Sequence, residues 1–483
     1  MLKYNSKCAI AGVMAILMLG GILAGCGNDS SKGSNPANSE GSSSADGDAK
    51  TADVVTLKMW IRASSKENNQ TITIDEFNES QDQIKVEYEV YGDNYSEVLK
   101  LALSSGEVPD VFEVAGLDAG SVRSFIKAGY MAPLEDYYDD EYAGQFNPSA
   151  FTQYAADGHV YIIPKEMRYQ RLYYNKTLFE RSGLDPDTPP STLEEMMKFA
   201  KIISEAGEGE FYGFGLPIKS DSTWERNVDN IAILSGTTGP WAFDYSTGQF
   251  DFAKQKPILE YFREMFNAGV IMPGSESLDI EMTRANFATN KIGMYIDGNW
   301  MVNGYNNELE AAKDLNYDTA LIPVFEGQQR AKDYLSLDSG HAIYANSEHK
   351  EEAFTVIKYV LDNVYEAPAR KDSTSIAPSL SLNLANNDRI NSQEAVQNMK
   401  GVTGLLQEQN QLTSFPVIPS QMLTLEGDSR ESVYPILIIG NSDMDCELQK
   451  LSATYNKALD VAKTDGTLTQ SDLTPDGFDY MTR

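Results

Sequence analysis

Cysteine, histidine and basic residues are the scarce groups in this chain. Of 483 residues, three are cysteine and three histidine, and 39 Lys and Arg face 71 Asp and Glu, for a net charge of −32. An excess of acid without a clustered basic face argues against a nucleic-acid partner, because binding phosphate backbones requires such a face. It equally argues against docking on an anionic membrane through charge. A large negative charge keeps copies soluble and apart, so a monomer is expected. The cysteines, Cys8, Cys26 and Cys446, form neither a disulfide framework nor a CxxC metal site. Cys446 reads as a lone, partly buried thiol. His159, His341 and His349 make no HExxH pair, no GxSxG elbow occurs, and no GK dipeptide supports a P-loop. No cofactor or metal is therefore expected. Asp443, Asp445 and Glu447, and the run DLTPDG at 472–477, could offer oxygens to calcium, but neither fits a full EF-hand loop. They read as solvated acidic starts of helices.

What is there begins with the pattern of an N-terminal leader. Lys3 and Lys7 precede an uncharged run at 9–25, which is short for a membrane span of ~20 residues and has the layout of a signal peptide. The run ends Leu23-Ala24-Gly25-Cys26, which resembles the lipobox of bacterial lipoproteins. That resemblance implies removal of residues 1–25 and acylation of Cys26. Residues 27–53 are rich in Ser, Gly, Asn and Asp and read as a flexible tether. The folded body is thus expected at the outer face of the cell membrane, held by lipid alone.

From Val54 the pattern alternates strand and helix. VVTLKMWI (54–61) and IKVEYEV (84–90) read as strands, and 67–80, 94–105 and 118–127 as helices, with a third strand at 108–116. This is the order of an open α/β sheet. Further along, MRYQRLYYN (167–175) reads as one crossing strand. Ser191-Thr192 with Glu194 and Glu195 offers a capping box. GEFYGFGLP (209–217) and 290–300 read as strands, 257–268 and 348–362 as helices, and 334–345 as a second crossing. Helices are expected at 390–412 and 442–463. Three of the four tryptophans, Trp60, Trp224 and Trp300, sit where strands meet loops. There a ring can stack on the apolar face of a sugar while neighbouring polar groups bind its hydroxyls.

Several long blocks, in order, resemble the extracellular solute-binding proteins of bacterial ABC importers, in the large family of maltose-type sugar binders. They are IKVEYEVYGDNYSEVLKLALSSGEVPDVFEV (84–114), YIIPKEMRYQRLYYNKTLFERSGL (161–184), FATNKIGMYIDGNW (287–300) and SGHAIYANSEHKEEAFTVIKYVL (339–361). The resemblance covers about 54–365 and is loose beyond. It implies an α/β, two-lobe periplasmic-binding-protein-like fold of type II, its lobes joined by crossover hinge segments. Lobe 1 would be 54–166 plus 339–380, and lobe 2 would be 167–338 plus 381–483. It also implies a ligand cleft bordered by Trp60, Arg62, Arg168, Tyr169 and Trp300; by their own positions Asp297, close to Trp300, and Trp224, facing it from a neighbouring loop, are expected to join them. This chain departs from the pattern at Val114 and Gly116, where bulky polar groups are absent, so the identity of the sugar does not carry over. The function implied is a membrane-anchored receptor, not an enzyme, that captures a carbohydrate, an oligosaccharide by expectation, and delivers it to the transmembrane subunits of an ABC permease. The alternatives are a binder of peptide, polyamine or phosphorylated polyol, a sensor subunit, or a lipid-anchored glycosidase.

Overall fold

Alternation of apolar and polar side chains sets the first sheet. In Val55–Arg62 the side chains of Leu57, Met59 and Ile61 are fully buried while those between them reach outward, as a strand at a sheet centre requires. The computed structural model describes residues 54–62, 69–92, 94–117, 119–146, 148–151, 154–156, 158–363, 399–405, 412–415 and 417–481. The expected leader (1–25), Cys26 and the expected tether (27–53) lie outside these residues.

Two sheets organise the described chain. Their strands are β1 (Val55–Arg62), β2 (Ile84–Tyr91), β3 (Val111–Glu113), β4 (Ile163–Arg168), β5 (Gln170–Asn175), β6 (Tyr212–Phe214), β7 (Ile292–Gly298), β8 (Tyr317–Ala320) and β9 (Ser336–Ile343). The first sheet has the order β2-β1-β3-β9-β4 and the second β8-β5-β7-β6. β1 runs parallel to β2 and β3, whereas β9 runs antiparallel to β3 and β4. The fold is α/β with two lobes. Helices α1 (Asn69–Ser80), α2 (Tyr95–Ser105) and α3 (Ala119–Lys127) follow the strands of the first sheet, close to their expected limits.

The expected strand at 167–175 is two strands. β4 pairs in the first sheet and β5 in the second, with Tyr169 between them as the point of crossing. Periodicity does not reveal the break, because residues on both sides are extended. The second crossing is at 334–336, and Ser336 pairs with Arg168, so the two crossings lie side by side. Helix α4 (Leu193–Gly207) begins as a modified capping box. Thr192 Oγ1 accepts from the Glu195 amide at 3.2 Å, and the Glu195 carboxylate accepts from the Ser191 amide at 2.8 Å. α4 presses against β6 at Gly213, where a Cβ would lie 2.1 Å from the Ala200 carbonyl oxygen.

Helices α5 (Lys256–Asn267), α6 (Lys350–Asn363), α7 (Arg430–Ile439) and α8 (Met444–Thr464) complete the frame. α6 packs on α1 beside the first sheet, and α7 and α8 share the core of the second. The expected helix at 390–412 does not form where it is described. Residues 399–405 are turns and Leu412–Thr413 is a strand; the rest of that span lies outside the described residues. Cys446 is not the lone thiol expected: it is disulfide-bonded. The acidic triplet caps α8, where the Asp443 carboxylate accepts from the Cys446 amide at 3.1 Å, while Asp445 pairs with Lys256. Among the described residues no group of acidic, His or Cys side chains is arranged to hold a metal. No described helix is long and apolar enough to cross a membrane.

Candidate functional site

The paired crossings form the floor of a cavity of about 460 Å³. Arg168, Gln170 and Ser336 lie on this floor. Glu225, Arg226, Trp241 and Trp300 line the side belonging to the second sheet, and Arg123 of α3 lines the opposite side. Phe415, Ile418 and Met422 from the C-terminal stretch add apolar cover.

β7 delivers Trp300. All seven of its residues are buried, so the strand is fixed, and the chain turns at Asn299 into a short helix. The Asn299 amide donates to the Tyr169 carbonyl at 3.0 Å, and Asn299 Oδ1 accepts from the Tyr169 amide at 3.3 Å. This reciprocal pair locks the turn to the first crossing. The Trp300 indole lies back over Gly298, where a Cβ would be 2.0 Å from the ring. Only glycine permits that approach. The Arg168 and Arg226 guanidinium carbons lie over the indole, 5.4 and 5.8 Å from its centroid.

Glu225 and Arg226 open a π-turn, Glu225–Asp229, between Ser222–Trp224 and Asn230–Leu234. Such widened turns concentrate at functional sites. Arg226 is held from behind by Asp297, which is fully buried and lies 3.3 Å from Arg226 Nε. Asp297 also accepts from Arg284, at 2.7 Å from Nε and 3.1 Å from Nη2. Burial alone would raise the Asp297 pKa; Arg226 and Arg284 outweigh it and hold the carboxyl below its ordinary value. Glu225 differs: burial raises its pKa, and Arg430, Arg226 and Arg168 only partly oppose this.

Trp241 has a left-handed backbone, φ 53°, as does Ala242 at 56°. Non-glycine residues adopt that region at a cost, and such strain gathers at binding sites. The Trp241 amide donates to Asp229 Oδ2 at 3.1 Å, and the Arg430 guanidinium lies 4.1 Å from the indole centroid. Arg430 is ion-paired with Asp229 and bonded to Glu431 at 2.7 Å. One buried pair thus fixes the strained residue.

Of the seven cleft residues expected from sequence, the structure brings two, Arg168 and Trp300, to the cavity wall. Asp297 stands one layer behind, as the anchor of Arg226. Tyr169 is buried and donates its hydroxyl to the Leu405 carbonyl at 2.9 Å, which fastens the crossing to the C-terminal stretch. Trp224 does not face Trp300. It is 1% exposed and packs edge-on against Tyr434, with ring centroids 5.6 Å apart, because its short helix turns it into the core of the second sheet. The Trp60 ring lies tilted against Tyr91, with centroids 4.9 Å apart, and the Arg62 amide donates to Glu113 at 2.8 Å; neither lines the cavity. Sequence reading missed Gln170, Glu225, Arg226 and Trp241. The only available hint was Trp241 itself, a tryptophan after Gly239-Pro240.

Comparison with known proteins follows from this geometry. The profile of the family described as bacterial extracellular solute-binding protein matches residues 64–367. A binding protein of Brucella abortus is 30% identical over 252 residues, covering 50% of this chain and 56% of the relative. The maltotriose-binding protein of Pyrococcus abyssi is 24% identical over 270 residues, covering 55% of this chain and 53% of the relative. The chain thus matches little more than half the length of these curated relatives. The crystal structure of the sugar-binding protein MalE of Xanthomonas citri superposes with a TM-score of 0.65, at 16% identity, covering 86% of this chain and 100% of that one. At that identity the likeness is one of fold.

Proposed function

This chain belongs to the family of bacterial extracellular solute-binding proteins, and on that premise we propose that it captures a carbohydrate, an oligosaccharide, between its lobes and delivers it to an ABC permease. The observation that carries the reading is the wall on which Trp241 and Trp300 stand with Arg168, Gln170 and Glu225 around about 460 Å³. Indole faces supply apolar area for sugar rings, and the polar groups fix hydroxyls. The maltotriose binder and the sugar-binding neighbour support the same class of ligand. Binding and lobe closure require no covalent step. A glycosidase needs two facing carboxyls, and Glu225 is the one carboxylate among the described lining residues.

A thermal-shift screen of the full chain against neutral and acidic saccharides, peptides and polyamines tests this. A saccharide at 100 times its Kd should add about 2.7 kcal/mol to stability. Stabilisation by a peptide or polyamine alone, or turnover of a glycoside, would replace the reading.

The anchor is part of the proposal: Cys26 carries the lipid and residues 27–53 tether the body. Mass spectrometry of the purified N-terminal peptide tests this. Fatty-acid label on the wild type and none on Cys26→Ala is the expected result.

A further inference from the structure

The cavity wall is rich in hydrogen-bond donors and poor in acceptors. Arg123, Arg168, Arg226, Trp241 and Trp300 carry side chains that only donate, against one, Glu225, that only accepts when ionised. Of the acids that balance the arginines, Glu225 is in the lining, where the charges of Arg226 and Arg168 act on it, and the others stand away from it. Asp297 is fully buried behind Arg226, and Asp472, which meets Arg123 Nη2 at 3.3 Å, is held in the capping box of the helix Gln470–Leu473. Donors are left over. Arg123 engages only Nη2, so Nε and Nη1 have no partner among the described residues. Arg226 gives Nη1 to Ser222, yet its buried Nε makes no hydrogen bond of proper geometry and Nη2 has no partner among the described residues. Gln170 Oε1 is likewise buried without a partner.

Leaving buried polar atoms unpaired carries a desolvation penalty, and a ligand that pairs them recovers it. Neutral sugar hydroxyls donate as readily as they accept, so they match a mixed wall. A surplus of guanidinium and indole N–H groups matches oxygens that only accept, and arginine's planar fork fits carboxylate and phosphate. We infer that the captured saccharide carries an anionic group, a carboxylate or a phosphate, received by Arg123 from one lobe and Arg226 from the other. Glu225 and Gln170 remain as acceptors for its hydroxyls. The inference rests on the carbohydrate reading above and deepens it.

Titration calorimetry on the full chain tests it with matched pairs: trigalacturonate against its methyl ester, and glucose 6-phosphate against glucose. A charge-assisted hydrogen bond changes affinity by roughly ten- to a hundredfold, and that preference for the charged member is expected in one pair. Preference in the first pair assigns a carboxylate, in the second a phosphate. Arg123→Gln should abolish the preference by weakening the charged member roughly ten- to a hundredfold more than the neutral one. Equal affinity within both pairs overturns the inference and leaves the carbohydrate reading intact. An Arg123→Gln variant that weakens charged and neutral members by the same factor also overturns it, because Arg123 then serves only its contact with Asp472. Failure of every saccharide in the screen above removes both readings together.

Discussion

Two tryptophans expected alike where strands meet loops have opposite consequences. Trp224 is enclosed in the core of the second sheet, whereas Trp300 is partly exposed to the cavity between Gly298 and two guanidinium groups. Trp224→Ala should therefore cost about 3–5 kcal/mol of stability, read by urea denaturation. Trp300→Ala should leave the unliganded midpoint nearly unchanged and weaken ligand binding by about 2 kcal/mol or more, roughly thirtyfold. The reverse pattern would place the ligand elsewhere. His341 gives a second test at this scale. It is fully buried on β9, neither ring nitrogen has a hydrogen-bond partner among the described residues, and the charges of Lys165 and Glu113 act on it. Burial, aided by Lys165 and opposed by Glu113, lowers its pKa from 6.5 to about 3. Between those values the unfolded chain takes up a proton that the folded chain refuses, so stability falls as pH drops through the window, by up to about 1.4 kcal/mol per pH unit. His341→Leu should flatten that slope in denaturation measured from pH 7 to 4. An unaltered slope would assign the acid sensitivity to the carboxylates.

Among elements, α7 carries the most unusual burden. Its first residue, Arg430, crosses to the π-turn at Asp229 and covers Trp241, so a C-terminal helix holds a cavity residue in a left-handed backbone. Removing one partner of a buried ion pair leaves the other charge uncompensated, at about 3–5 kcal/mol. Arg430→Ala should lose that much in chemical denaturation and also blur the cavity side formed by Trp241. A loss below about 1 kcal/mol would mean that the pair behaves as a surface bridge. The fold's elements were largely legible before the structure: β1, β2, α2, α4, α6 and α8 carry one-sided apolar patterns that fix them locally. The break at Tyr169 was not, since an extended chain leaving one sheet for another keeps the same backbone and alternation.

On the scale of the molecule, two adjacent crossings join sheets that face each other across the cavity, and the Arg123–Asp472 pair bridges α3 to the C-terminal stretch. A saturating ligand should tighten this arrangement by hinge motion at 166–172 and 334–340. Small-angle scattering should then show a smaller radius of gyration with ligand than without it. An unchanged radius at saturation would remove closure from the mechanism.

The sequence by itself determined the α/β class, the family resemblance, the position of Trp300 at a strand end and that of Arg168 at a crossing, because these follow from periodicity and from blocks of contiguous residues. The tertiary structure alone decided which polar groups meet. Arg123 and Asp472 are 349 positions apart, and Arg430 reaches Asp229 over 201. It also decided that Trp224 turns inward. No local pattern encodes such pairs, since each side chain's partner is set by how elements distant in sequence pack together, and burial and charge take effect only once that packing has formed.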